Sequence, residues 1–362
     1  MHEMNTNSNQ KGVTSRDIAR RAGVSQATVS RVLTGNPVRQ ELRDKVKAAI
    51  RELKYRPNGT ARAMRTSRTG NIGLVVPRLA NPLHPALLHV LGGAVTQAGF
   101  RVVVWSTDDV DEKAAADAVR GSLVDGVIMT AATTASTQLY EAVQLKAPVV
   151  LVNRVVEGWP CDQVASDNVA GARMVAEYLL NSGRRRIGMV GGISLASSIR
   201  QRQFGFREML ASRGRALDER LCELVEQFSY RTGFEAAARL LDLAEPPDAL
   251  FCVNDFLALG ARDAARNRDF DVPGALWIVG YDDIEMASWH AFDLTTVRQP
   301  LSQMAEYAVR FLLERISGYE GEGRNIRLSN DLVLRGSTSR RQNTSTSTSN
   351  SCTEPHPITE DK

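Results

Sequence analysis

A chain of 362 residues, 43% apolar and 24% charged, has the size and composition of a globular protein with more than one domain. Its formal charge of +4 conceals a division: residues 1–68 hold 15 Lys/Arg against 5 Asp/Glu, whereas residues 69–362 hold 30 against 36. A polyanion is therefore an expected partner of the head and not of the body. No apolar signal segment opens the chain and no run approaches the ~20 apolar residues of a membrane helix, which predicts a cytoplasmic protein. Cys161, Cys222, Cys252 and Cys352 are scattered without a C-x-x-C pair, so neither a disulfide framework nor a metal site is expected.

Residues 1–12 are read as a disordered arm, and residues 13–57 as three helices. Thr14 precedes Asp17 in the spacing of a capping box, and Ile18, Ala19 and Ala22 recur at helical intervals, predicting a helix over 15–22. Gly23 suits the left-handed turn that ends it, and Ser25 suits the cap of a second helix reaching about Leu33. Ala19 lets the two backbones cross closely, while Val29 and Val32 face a small core. Leu42, Val46, Ala49, Ile50 and Leu53 form the apolar stripe of a third helix, with Pro57 as its stop.

With those positions used for packing, the second helix still presents Ser25, Gln26, Ala27, Thr28, Ser30 and Arg31. In a helix-turn-helix such a face enters the major groove of DNA with its N-terminal residues at base edges. Gln26 can pair bidentately with adenine, the Ala27 methyl can meet a thymine methyl, and Arg31 can reach guanine or a phosphate. Ser25, Thr28 and Ser30 suit phosphates, which fix register. A protein-docking helix pair is the competing interpretation. The next stretch, NGTARAMRTSRTG over 58–70, carries three arginines and no acid, and is too short to hold a helix alone in water.

These residues carry a resemblance. Thr14-x-x-Asp17-x-Ala19, GVSQATVSRVL, LKYRPN and ARAMRT are similar to the lactose and purine repressor family of bacterial transcription regulators. So are NIGLVVP (71–77), VASDNVAGA (164–172), RRRIGMVGG (184–192), FCVNDFLALGA (251–261), VGYDD (279–283) and LTTVRQP (294–300), extending the likeness over about 325 residues. The resemblance implies that 58–70 becomes a hinge helix, paired with that of a second subunit in the minor groove. Met64 stands at the wedge position where the family usually has leucine. Ala61 and Arg62 match positions near the groove floor and backbone, and Thr14 and Asn58 join the implied DNA contacts.

From Asn71 onward, IGLVVP, RVVVW, GVIMT, PVVLVN, RIGMV, ALFCVN and LWIVGY alternate with amphipathic stretches, the pattern of parallel sheets covered by helices. The fold class expected is thus an all-α helix-turn-helix headpiece followed over 71–339 by an α/β domain. The resemblance makes that domain periplasmic-binding-protein-like (type I), with two lobes, three crossovers and a ligand cleft. The resemblance also implies that residues 71 to about 168 and 300–325 form the lobe nearer DNA. Ligands of open α/β sheets sit beyond the carboxyl ends of strands. Asn153, Asn254 and Asp282 end apolar runs, Arg202 follows RIGMVGG, and each falls on a family ligand position, as does the aromatic Phe228.

Asp and Asn can bond vicinal hydroxyls, Arg202 can fork onto two oxygens, and Phe228 can stack on a sugar face. Taken singly, Asn254 also reads as a helix cap, Asp282 as part of a turn and Phe228 as core. Arg78 and His84 lie on the first-strand loop, where cleft and surface readings both stand. If Arg78 faces the cleft, an acidic or phosphorylated sugar is favoured.

No G-x-S-x-G, G-x-x-x-x-G-K-[ST], H-E-x-x-H or G-x-G-x-x-G motif is present, and Asp282 and Asp283 are too close in sequence to flank a glycosidic bond. Catalysis and cofactors are therefore not expected. The Ser/Thr-rich stretch 340–362 is read as disordered and lacks the leucine heptad that joins some family members into tetramers, so a homodimer is expected. The function expected is a repressor that binds double-stranded operator DNA under control of a small ligand, with a sugar, sugar acid or sugar phosphate favoured over a purine. A cytoplasmic sugar-binding protein and a ligand-independent regulator are the alternatives.

Overall fold

The computed structural model describes residues 13–33, 35–55, 68–77, 79–107, 111–121, 123–193 and 195–339, and the chain divides after Gly70 into two compact units. The arm 1–12, Asn58, Ala61, Arg62 and Met64 of the hinge stretch, Arg78 and the tail 340–362 lie outside the described residues.

The first unit contains α1 (Ser15–Ala22), α2 (Gln26–Leu33) and α3 (Gln40–Glu52). Thr14 and Asp17 close a reciprocal capping box at the start of α1, and Gly23 ends it at φ 65° in the left-handed region. Ile18, Ala19, Val29, Val46 and Ala49 are the buried centre of the three-helix core. One detail departs from expectation: α3 stops at Glu52, well ahead of Pro57. Lys54 takes φ 47°, and the Tyr55 N–H donates to Ile50 O at 3.0 Å. A left-handed lysine has therefore ended the helix before proline is reached.

The second unit contains two six-stranded sheets, ordered β11-β5-β4-β3-β1-β2 and β12-β10-β9-β8-β6-β7. The first uses β1 (Asn71–Pro77), β2 (Arg101–Thr107), β3 (Gly126–Met129), β4 (Val149–Val152), β5 (Asp162–Ser166) and β11 (Asn325–Leu328). The second uses β6 (Ile187–Gly192), β7 (Cys222–Val225), β8 (Ala249–Cys252), β9 (Trp277–Asp282), β10 (Thr295–Arg298) and β12 (Asp331–Val333). Every pairing is parallel except β10 with β12.

Helices α4 (Leu83–Gln97), α5 (Asp111–Arg120), α6 (Thr137–Gln144) and α11 (Leu301–Ile316) cover the first sheet; α7 (Asn168–Asn181), α8 (Ser197–Ser212), α9 (Tyr230–Leu241) and α10 (Asp255–Arg266) cover the second. Ile72 and Leu74 of β1 join one apolar cluster with Leu87, Leu91 and Met304, while Val75 joins another with Leu139 and Val143. Burial on both faces explains why the strands read as unbroken apolar runs rather than as alternation. The chain passes between lobes three times, from β5 to α7, β10 to α11 and β11 to β12. The first lobe extends to Leu328 in β11, slightly beyond the expected 325.

Candidate functional site

On α2, Ser25, Gln26, Ala27 and Arg31 are exposed, Thr28 and Ser30 are half-buried, and Val29 is buried. The helix thus spends Val29 on the core, with Val32 and Leu33 packed against it, and leaves short polar groups outward. Ser25 Oγ accepts from the Thr28 N–H at 3.1 Å, capping α2, and Gln26 Nε2 donates to Ser15 Oγ at 3.0 Å. Thr14 is committed differently: its hydroxyl donates to Asp17 Oδ2 at 2.7 Å, and these hydrogen bonds hold the Asp17 carboxyl below its ordinary range.

In the second unit a cavity of about 670 Å³ lies beyond the strand ends, between the lobes. His84, Asn153, Arg202, Phe228, Asn254 and Asp282 all line it, joined by Arg154, Ser198 and Glu226. From the first lobe, His84 on α4 is 8% exposed, and its Nδ1 has no hydrogen-bond partner among the described residues. Burial, helped by the charge of Arg154, pulls its pKa down to about 4, so the imidazole is neutral at pH 7. Asn153 follows β4 at φ 70°, a conformation asparagine tolerates better than most residues, and its buried Oδ1 is likewise without a partner.

The second lobe supplies a paired wall. Arg202 is 2% exposed; its Nε donates to Asn168 Oδ1 at 2.9 Å, its Nη1 donates to Val253 O at 2.8 Å and lies 2.9 Å from Asp282 Oδ1. Its guanidinium also sits 3.7 Å from the Tyr281 ring centroid. The expected free fork is therefore partly used inside the protein. Burial pushes the Asp282 carboxyl upward and Arg202 opposes that shift. Asp282 holds φ 126°, which L residues rarely adopt.

Asn254 accepts from the Leu257 N–H at 2.9 Å as the cap of α10 and also lines the cleft. Asp283 instead serves the fold, pairing with Arg298 and Arg335 at 2.6 Å each. Phe228 is placed by a glycine: a Cβ on Gly192 would fall 2.3 Å from its Cζ. Sequence reasoning missed Asn168 and Gln299, although both stand inside the motifs VASDNVAGA and LTTVRQP. The family resemblance marked the motifs without saying which side chains point inward.

Among the described residues, no His, Cys, Asp and Glu cluster is arranged for a metal ion, and no helix is long and apolar enough to cross a membrane. A helix-turn-helix unit followed by a two-lobed unit with a polar cleft defines a DNA-binding regulator with a ligand domain. Family models agree: bacterial regulatory proteins of the lacI family match residues 14–58, and a periplasmic binding protein-like domain matches 176–338.

The chain is 33% identical over 330 residues to the HTH-type transcriptional regulator DegA of Bacillus subtilis, covering 89% of this chain and 97% of that protein. It is 36% identical over 337 residues to the regulator MalR of Streptomyces coelicolor, covering 89% and 95%. Among solved structures, the lac repressor dimer bound to operator and the anti-inducer ONPF is similar at TM-score 0.80 and 29% identity, over 91% of this chain and 99% of that one. The complex of the regulator CelR with cellobiose is similar at TM-score 0.68 and 32% identity, over 90% and 99%. The chain belongs to the LacI family of bacterial transcriptional regulators.

Proposed function

We propose that the protein is a cytoplasmic, homodimeric repressor without enzymatic activity, whose operator affinity is set by a sugar held between the lobes. The observation carrying this reading is the cleft itself, where six candidate side chains from both lobes meet around one cavity. Cellobiose in the similar CelR structure supports a sugar-type ligand. Asp282 answers the Arg202 charge, which favours a neutral sugar over a sugar acid or phosphate. The ligand acts through its different affinity for two lobe arrangements. On the DNA side, Gln26, Ala27 and Arg31 read bases, and Ser25, Thr28 and Ser30 hold phosphates. Thr14, Asn58, Ala61, Arg62 and Met64 remain assigned to the operator contact, and Arg78 to effector binding.

A thermal-unfolding panel of cellobiose, other neutral sugars, sugar acids and sugar phosphates tests the cleft. A ligand at 100 times its Kd adds about 2.7 kcal/mol of stability, and silence across the panel defeats the sugar assignment. For the operator, Gln26→Ala is expected to relax discrimination at one base pair by ~1–3 kcal/mol at fixed salt. Unchanged preference across all single-base variants removes Gln26 from base readout.

A further inference from the structure

Gln299 sits in the second crossing, between β10 and α11, and is 3% exposed. It is absent from the cavity lining, yet its Nε2 donates to Asp282 Oδ1 at 2.7 Å. At its other end, Oε1 accepts from Ser166 Oγ at 2.9 Å. Ser166 ends β5 at the first crossing, and its carbonyl accepts from Asn168 Nδ2 at 3.2 Å. Asn168 Oδ1 in turn accepts from Arg202 Nε, and Arg202 pairs with Asp282. Asp282, Gln299, Ser166, Asn168 and Arg202 thus form a closed ring, all of them buried. The third crossing is tied to the same point, since the Asp167 N–H donates to Leu328 O and Asn330 Nδ2 donates to Asp167 O, each at 2.7 Å.

The primary amide suits this place because its ends differ. The NH₂ must face the carboxylate and the C=O must face the hydroxyl; reversal would set two acceptors together at Asp282. Such a buried, directional bridge favours discrete arrangements over continuous drift. We propose that Gln299 is a positioning residue for the ligand response, linking the state of the Asp282–Arg202 pair to the lobe crossings. The proposal rests on the cleft being the ligand site. When a ligand hydroxyl engages Asp282, the amide transmits the change to Ser166 and thus to the crossings.

The test uses full-length Gln299→Leu, which removes both bonds, and Ser166→Ala, which keeps the Gln299–Asp282 bond but takes the hydroxyl away from Gln299 and from Asn168 Oδ1, 3.4 Å distant. Amide hydrogen exchange is measured first on sugar-free protein. Faster exchange confined to 166–168, 298–301 and 328–331 is expected in both variants; unchanged or uniformly faster exchange overturns the proposal. Operator affinity is then compared without and with cellobiose, or with whichever panel sugar stabilises the wild type. The ratio should fall at least about fivefold in both variants, while sugar affinity holds within about threefold. A retained ratio overturns the relay. A wild type that no panel sugar stabilises defeats the sugar reading instead, and the exchange pattern still decides whether Gln299 ties the crossings.

Discussion

The two walls of the cleft are built on opposite plans. On the second lobe, Arg202, Asp282 and Asn254 are engaged with protein partners before any ligand arrives. On the first lobe, His84 Nδ1 and Asn153 Oδ1 are buried without partners among the described residues. An unsatisfied buried polar atom costs about 1–3 kcal/mol, so the first wall gains from any group that supplies hydrogen-bond partners, whereas the second must exchange contacts it already has. The difference teaches that one wall spends its polar groups on the fold, while the other keeps buried polar atoms unpartnered at the cavity.

The largest effect should come from breaking the paired wall. Arg202→Leu leaves the Asp282 carboxylate, Asn168 Oδ1 and Val253 O without their guanidinium, and a loss of about 3–5 kcal/mol in urea unfolding is expected. A change below about 1 kcal/mol would mean the pair contributes little to the fold, and the contrast between the walls would collapse.

The unpaired wall carries the next effect. Unfolded His84 takes up its proton near pH 6.5 and the folded residue near 4, so the unfolded state binds more protons between these values. Stability therefore falls as pH drops through that window, by up to about 3 kcal/mol, because each tenfold difference in proton affinity between the two states is worth about 1.4 kcal/mol. His84→Gln should remove that part of the acid loss; identical pH profiles for wild type and variant would place His84 in a solvated setting.

Asn153→Gly separates the amide from its left-handed backbone, which glycine accepts. Sugar affinity should weaken about tenfold, the loss of one hydrogen bond, with no more than about 1 kcal/mol of stability lost. Affinity equal to wild type would take Asn153 out of the ligand contact. Asn254→Ser gives the smallest stability change, within about 0.5 kcal/mol, because serine caps a helix as asparagine does. Its shorter side chain should still weaken sugar binding, and retained affinity would leave Asn254 as a cap alone.

Where periodicity and burial coincide, the chain is transparent. α1 and α2 follow from Asp17, Ile18, Ala19, Gly23 and Val29, and β1, β4, β8 and β9 follow from apolar runs buried on both faces. β5 was opaque because Asp162 and Gln163 interrupt its apolar pattern. Both are buried, Asp162 between Arg315 at 2.8 Å and Arg324 at 2.9 Å, and Gln163 through amide bonds to the Val156 N–H and C=O. β7, β11 and β12 were missed for a different reason: they are short strands at sheet edges, partly exposed, so little apolar signal is demanded of them.

Local chemistry in the amino-acid sequence determined the helix starts and turns, the apolar strands and the polar residues standing at strand ends, because each depends on neighbours within a turn or a strand. Only the tertiary structure decided that Arg202 is paired with Asp282, that His84 is buried and neutral, and that Gln299 bridges Ser166 and Asp282. Those outcomes depend on partners brought together across long stretches of chain, and the energy of a buried polar group is set by what surrounds it in space rather than by what precedes it in sequence.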